Sequence, residues 1–295
     1  MQWTFRFGCR VFLLALLSTA PSLLAEEPEF VKGMAPVEHG ELYYELAGDG
    51  SPIVFIHGGQ MDSRIWDDQF VAFAEYYKVV RYDVRGYGNS TQPTMPYANT
   101  DDLHRLLIHL NLERVTLVGL SLGGRIAIDF TIIHPEQVNA LVLVAPGLSG
   151  FTWSEEQRHR LWQIIVVARD EGFAAASELW LRDPYMAPAM ENPTISPKIQ
   201  RLVRENSHVW LMNPLLERWL DPPAVGRLSD ILVPTLVIVG DRDVPDIQKI
   251  CSQLGREISG ARKKIVANAG HIVNMEQVEY FNELVGEFLG ELDFR

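Results

Sequence analysis

Residues 115–124, Val115-Thr116-Leu117-Val118-Gly119-Leu120-Ser121-Leu122-Gly123-Gly124, carry a short apolar strand into a helix across a serine set between glycines. Val115 to Val118 has the length and composition of a buried strand, and a helical pattern runs from Leu122 to about His134. Between them lies the pattern G-x-S-x-G. A serine on so sharp a strand-to-helix turn is held in a strained backbone conformation. The neighbouring glycines let the turn close without side-chain collision. Such a turn pushes the Ser121 hydroxyl out of the sheet edge and leaves the Leu122 amide pointing to the same place.

Working outward, short apolar runs alternate with helical patterns. Strands are expected at Leu42 to Ala47, Ile53 to Ile56, Lys78 to Tyr82, Leu141 to Val144, Thr235 to Val239 and Lys264 to Val266. Between Asp101 and Leu110, the residues Leu103, Leu106, Leu107 and Leu110 share one helix face, and a last helix is expected from about Asn274 to Leu289. This order predicts an α/β fold, a mostly parallel sheet with helices on both faces. From about Ser149 to Val225 the alternation stops and only helices are expected. Ser154 with Gln157 reads as a capping box. Ser196-Pro197 reads as an N-cap followed by proline at the first helical position. Five of the seven tryptophans fall here, at 153, 162, 180, 210 and 219. The expected organisation is a core of residues 26–148 and 226–295 with an all-helical cap, 149–225, inserted over the sheet's C-terminal edge. Trp153, Trp162, Met186, Met190, Trp210 and Met212 are the candidates for the pocket roof.

Of the 295 residues, 47% are hydrophobic and 22% charged, which excludes a disordered or fibrous chain. A net charge of -12 argues against nucleic-acid binding, since no basic surplus exists to displace counterions. Two cysteines, Cys9 and Cys251, allow neither a disulfide framework nor a zinc cluster. Residues 1–25 read as a secretory signal: Arg6 and Arg10, then an apolar run from Val11, then Ala25 before Glu26-Glu27. The expectation is a periplasmic or secreted protein, with an uncleaved anchor as the alternative. The run is short for a spanning helix and is broken by Pro21.

A serine hydroxyl is a weak nucleophile near neutral pH and needs a base, which needs an orienting acid. Thr235 to Val239 runs into Gly240-Asp241-Arg242-Asp243, and Lys264 to Val266 is followed by Asn268-Ala269-Gly270-His271. Both loops lie past C-terminal strand ends, on the edge expected for Ser121. Together with His57-Gly58-Gly59 and Asp83 to Ser90, these motifs make the chain resemble the α/β-hydrolase fold superfamily in its capped form, over nearly all of residues 35–291. The resemblance implies Ser121 as nucleophile, Asp243 as acid and His271 as base. It also implies an oxyanion hole from the Leu122 amide with that of Gly59, Gln60 being the alternative.

Asp241 is the competing acid, with Asp246 a distant third. His57 and Arg85 are expected to brace loops, and Cys251 to be an inert helix residue. Arg125 follows the serine turn, and its direction is open. The segment from Tyr82 to Pro93 is similar to that of cofactor-free haloperoxidase-type esterases and lactonases. Serine at 121 disfavours dehalogenases and epoxide hydrolases, which use a carboxylate there. The resemblance therefore implies a serine hydrolase of carboxylic esters, and the aromatic-rich cap suggests a small to medium, largely apolar substrate. Its partners would be a small-molecule ester and water, with no cofactor and no metal. A lactonase or C–C bond hydrolase is the enzymatic alternative. A ligand receptor that kept the triad is the alternative from another class.

Overall fold

The computed structural model describes residues 30–292; the expected export segment, residues 1–25, lies outside them. Eight strands form one sheet: β1 (Val31–Val37), β2 (Gly40–Ala47), β3 (Pro52–Ile56), β4 (Lys78–Tyr82), β5 (Val115–Leu120), β6 (Val138–Val144), β7 (Thr235–Gly240) and β8 (Arg262–Val266). Their spatial order is β1-β2-β4-β3-β5-β6-β7-β8. β2 pairs antiparallel with both β1 and β4, and all other pairings are parallel. The helices are α1 (Asp67–Ala74), α2 (Asn99–His109), α3 (Leu122–Ile133), α4 (Glu155–Asp170), α5 (Phe173–Leu181), α6 (Ala187–Met190), α7 (Ser196–Glu205), α8 (Pro245–Glu257), α9 (Val273–Glu276) and α10 (Val278–Gly290).

The central strands read as unbroken apolar runs because helices cover both of their faces. Every residue of β5 and of β7 is buried. The edges read differently. β1 carries Gly33 and Pro36, a composition that hides a strand and is tolerated only at a sheet margin. Sequence reading accordingly passed over it. At the other margin β8 opens with Arg262-Lys263-Lys264, all exposed, and such charges discourage edge-to-edge pairing. α1 and most of α8 were also not anticipated.

The chain leaves β3 toward β4 on one side, then crosses back to β5 on the other. The C-terminal ends of β3 and β5 thus flank a topological switch point, where open α/β sheets form their ligand crevice. Ile56 pairs with Gly119 across it, so the loop after β3 and the serine turn after β5 meet there.

Between β6 and β7 lie α4 to α7 and short 3-10 turns, the inserted helical cap. One β-bridge, Tyr97 with Glu217, departs from the purely helical expectation. Only half of the expected capping box forms. The Ser154 hydroxyl accepts the Gln157 amide, but the Ser154 amide donates to Asp246 of α8 at 2.7 Å rather than to Gln157. The cap's first helix is thereby tied to the core. Ser196 is itself the first residue of α7, following Ile195, and caps nothing. The expected last helix is two helices, broken at Gln277 (φ -139, ψ 59). Among the described residues, no helix is long and apolar enough to cross a membrane.

Candidate active site

Ser121 stands between β5 and α3 with φ 52 and ψ -109. A conformation of this kind costs about 1–3 kcal/mol and persists only where its surroundings enforce it. The glycines do so by permitting close approach. A Cβ at position 119 would strike the Gly123 carbonyl, and one at 123 would strike the Ile56 carbonyl of β3. Ser121 also spends its backbone on the turn: its amide donates to Val144 O, and its carbonyl accepts from Arg125 and Gly147.

Past β7, the Asp243 side chain is wholly buried, with Oδ1 accepting the Val244 amide at 2.7 Å. His271 reaches it from the loop after β8. Its Nδ1 lies 2.9 Å from Oδ2 and 3.1 Å from Oδ1. An Nδ1–H given to a carboxylate leaves Nε2 unprotonated in the neutral ring, the form that can accept a proton. Asp241 is exposed, and Asp246 is spent on Ser154 and Lys249. Glu276 accepts the Gly270 and Ile272 amides at 2.7 and 2.9 Å, holding the loop on both sides of His271. Burial pushes the Glu276 carboxyl above its usual range.

His57 is fully buried and has both ring nitrogens occupied. Nδ1 donates to Gly58 O at 2.7 Å, and Nε2 accepts the Val84 amide at 2.9 Å. Burial lowers its affinity for a second proton. It braces two loops, as expected. Arg85 braces its own loop against α2, through paired hydrogen bonds to Asp102 at 2.7 Å each, and donates to Glu38 O at 2.9 Å. Cys251 is buried in α8, and burial pushes its thiol up, away from a reactive thiolate.

Gly59, Gln60, Ser121, Leu122 and His271 line a single cavity of about 390 Å³. Among the described residues, the Gly59, Gln60 and Leu122 amides donate to no other protein group. Of the six roof candidates, Trp153, Met186 and Trp210 line the cavity. The other three do not. Trp162 faces outward beside His159, Met190 packs against the hydrophobic core, and Met212 rests against Gly86. Sequence reading missed Leu161, Ile165 and Tyr185 of the lining and did not single out Trp180 or Trp219 among the cap tryptophans. The Tyr185 ring meets His271 edge-on at 4.6 Å. Trp180 and Trp210 also pack on each other at 5.4 Å, so the cavity roof and the cap's own core are partly the same residues.

Several known proteins resemble the chain over most of its length. A putative 2-succinyl-6-hydroxy-2,4-cyclohexadiene-1-carboxylate synthase of Bacillus subtilis is 28% identical over 268 residues, 83% of this chain and 94% of that protein. A putative carbamate hydrolase of Azorhizobium caulinodans is 27% identical over 268 residues, 88% of this chain and 99% of that one. Among solved structures, the enol-lactonase of Burkholderia xenovorans superposes with a TM-score of 0.74 at 27% identity, covering 88% of this chain and all 100% of that one. The sequence pattern of the alpha/beta hydrolase family matches residues 53–284, and the chain belongs to that family.

Proposed function

We propose that this hydrolase cleaves carboxylic esters of small to medium, largely apolar acyl groups through an acyl-enzyme on Ser121. One observation carries the reading: His271, its Nδ1 held by buried Asp243, opens on the same cavity as Ser121 and as the unpartnered Gly59 and Leu122 amides. In this scheme His271 takes the Ser121 proton as the hydroxyl attacks the acyl carbon. The Leu122 and Gly59 amides receive the developing oxyanion, a contribution of about 3–4 kcal/mol per donor in comparable sites. His271 then protonates the leaving alcohol, and activates water to release the acid. Asp243 orients the imidazole and stabilises its charged form.

A lactone is the second substrate class, favoured by the likeness to the enol-lactonase. Hydrolysis of 4-nitrophenyl butyrate tests the proposal. A burst of about one nitrophenolate per chain followed by steady turnover supports it. A stoichiometric burst without turnover favours a receptor, and no release at all opposes acyl transfer at Ser121. Export to the periplasm or medium belongs to the same proposal and rests on the pattern of residues 1–25 alone.

A further inference from the structure

Arg125, one helical turn beyond Ser121, is the only Lys or Arg among the described residues lining the cavity, and it is 7% exposed. A lone cation in an apolar cavity reads first as a receptor for a substrate carboxylate. Its surroundings argue the reverse. Nη2 donates at 2.6 Å to Glu217, which the cap brings in from 92 positions away. The same carboxylate oxygen accepts from the Asn99 amide group at 2.7 Å. The strand-like bridge at Tyr97 pins the backbone around Glu217: the Tyr97 amide donates to Leu216 O, and the Arg218 amide to Tyr97 O. Nη1 lies 3.6 Å from Asp129, which accepts from the Ser149 hydroxyl at 2.5 Å. The Trp219 ring covers the guanidinium at 4.2 Å. One cation thus faces two carboxylates and an aromatic ring. A carboxylate-bearing substrate would add a third anion or have to displace Glu217 from a pinned position.

We propose that Glu217 is a specificity-determining residue: by occupying the Arg125 donor, it keeps the Ser121 cavity selective for uncharged acyl groups. This rests on the cavity being the acyl site of an ester hydrolase. Removing the Glu217 charge leaves at most a neutral acceptor on the Arg125 donor. A substrate carboxylate can displace that acceptor to form a charge-assisted pair, an interaction strong enough to shift affinity about tenfold or more.

The test compares 4-nitrophenyl pentanoate with mono-4-nitrophenyl glutarate, which share a five-carbon acyl chain. Glutarate binding is measured in parallel by calorimetry. Wild type should hydrolyse the glutarate ester with kcat/KM at least tenfold below that of the pentanoate. Glu217→Gln should shrink that ratio about tenfold or more, mainly through KM, and should gain glutarate binding. Arg125→Gln combined with Glu217→Gln loses the same tie to the cap and also lacks the cation, so it should lose both gains. A wild type that prefers the glutarate ester overturns the proposal, and that comparison stands even if the variants fold poorly. So does a folded Glu217→Gln that discriminates like wild type. If neither ester is hydrolysed, the ester-hydrolase reading fails and calorimetry decides the rest. Glutarate binding gained in Glu217→Gln and lost in the double variant supports the role of Glu217; binding by wild type, or by none of the variants, ends it.

Discussion

Asp243 meets His271 through both carboxylate oxygens, at 2.9 and 3.1 Å, while Asp241, two positions earlier, is exposed. The turn that separates them is closed by the Asp243 amide on Gly240 O. It swings one carboxylate inward and leaves the other in water.

Asp243→Asn should therefore lower turnover by about 10³- to 10⁴-fold, because the amide favours the wrong imidazole tautomer. Asp241→Asn should change kcat/KM by less than about threefold, as an exposed substitution. Steady-state rates on one activated ester, with both variants matched for folding by circular dichroism, check the pair. A larger loss at position 241 would reassign the acid.

Asp129 is buried, and burial raises its carboxyl to about 6 despite Ser149 and Arg125 beside it. Between about pH 4 and 6 the folded chain keeps a proton that the unfolded chain has already lost. Wild type should then lose stability through this group as pH rises across that window, with nothing further lost above about pH 7. The effect is about 2–3 kcal/mol at most. Asp129→Asn lacks it, so the variant's melting temperature should gain on wild type from pH 4 to 6 and run parallel above. A difference that does not change with pH would mean that Asp129 titrates normally.

Ile165 and Trp219 line the cavity yet are exposed at its rim, whereas Trp180 lines it while buried in the cap. Ile165→Ala and Trp219→Ala should change selectivity among acetate, butyrate and octanoate esters by about ten- to two-hundred-fold with little change in melting temperature. Trp180→Ala should alter selectivity and also destabilise by about 3–5 kcal/mol. Trp162→Ala should do neither. A chain-length profile that every rim variant leaves unchanged would remove these residues from the acyl site.

The Ser154–Asp246 hydrogen bond, at 2.7 Å, ties α4 to α8, and α4 supplies Leu161 and Ile165 to the cavity. Asp246→Ala should cost about 1–3 kcal/mol by orphaning a helix-capping amide, and should raise KM more than it lowers kcat. Thermal melts and kinetics on a neutral ester read the two effects separately. Unchanged stability would show that water replaces the tie.

The serine turn was legible because the need for Gly119 is local, set by the Gly123 backbone of the same turn. Gly123 itself is required by the Ile56 carbonyl of β3, and only its place in the pattern announced it. His271 was legible because strand ends share an edge in a parallel sheet. Asp243 was chosen over Asp241 from the family resemblance and not from local pattern, since the choice depends on how a turn rotates two neighbouring carboxylates. Trp162 and Ile165 stand three positions apart on α4, and only the helix's phase against the core decides which one meets the cavity. The setting of Arg125 depends on Glu217, a partner distant in sequence that no local pattern announces. β1 was hidden by Gly33 and Pro36, residues that an edge tolerates.

The central claim, that Ser121 is an activated nucleophile, is tested most directly by labelling the native protein with a fluorophosphonate and mapping the modified peptide. The account predicts one label per chain, on Ser121, lost on heat denaturation and in Ser121→Ala, which should keep its fold and less than about a hundredth of the esterase activity. A native protein that stays unlabelled, or a label on any other residue, would contradict it.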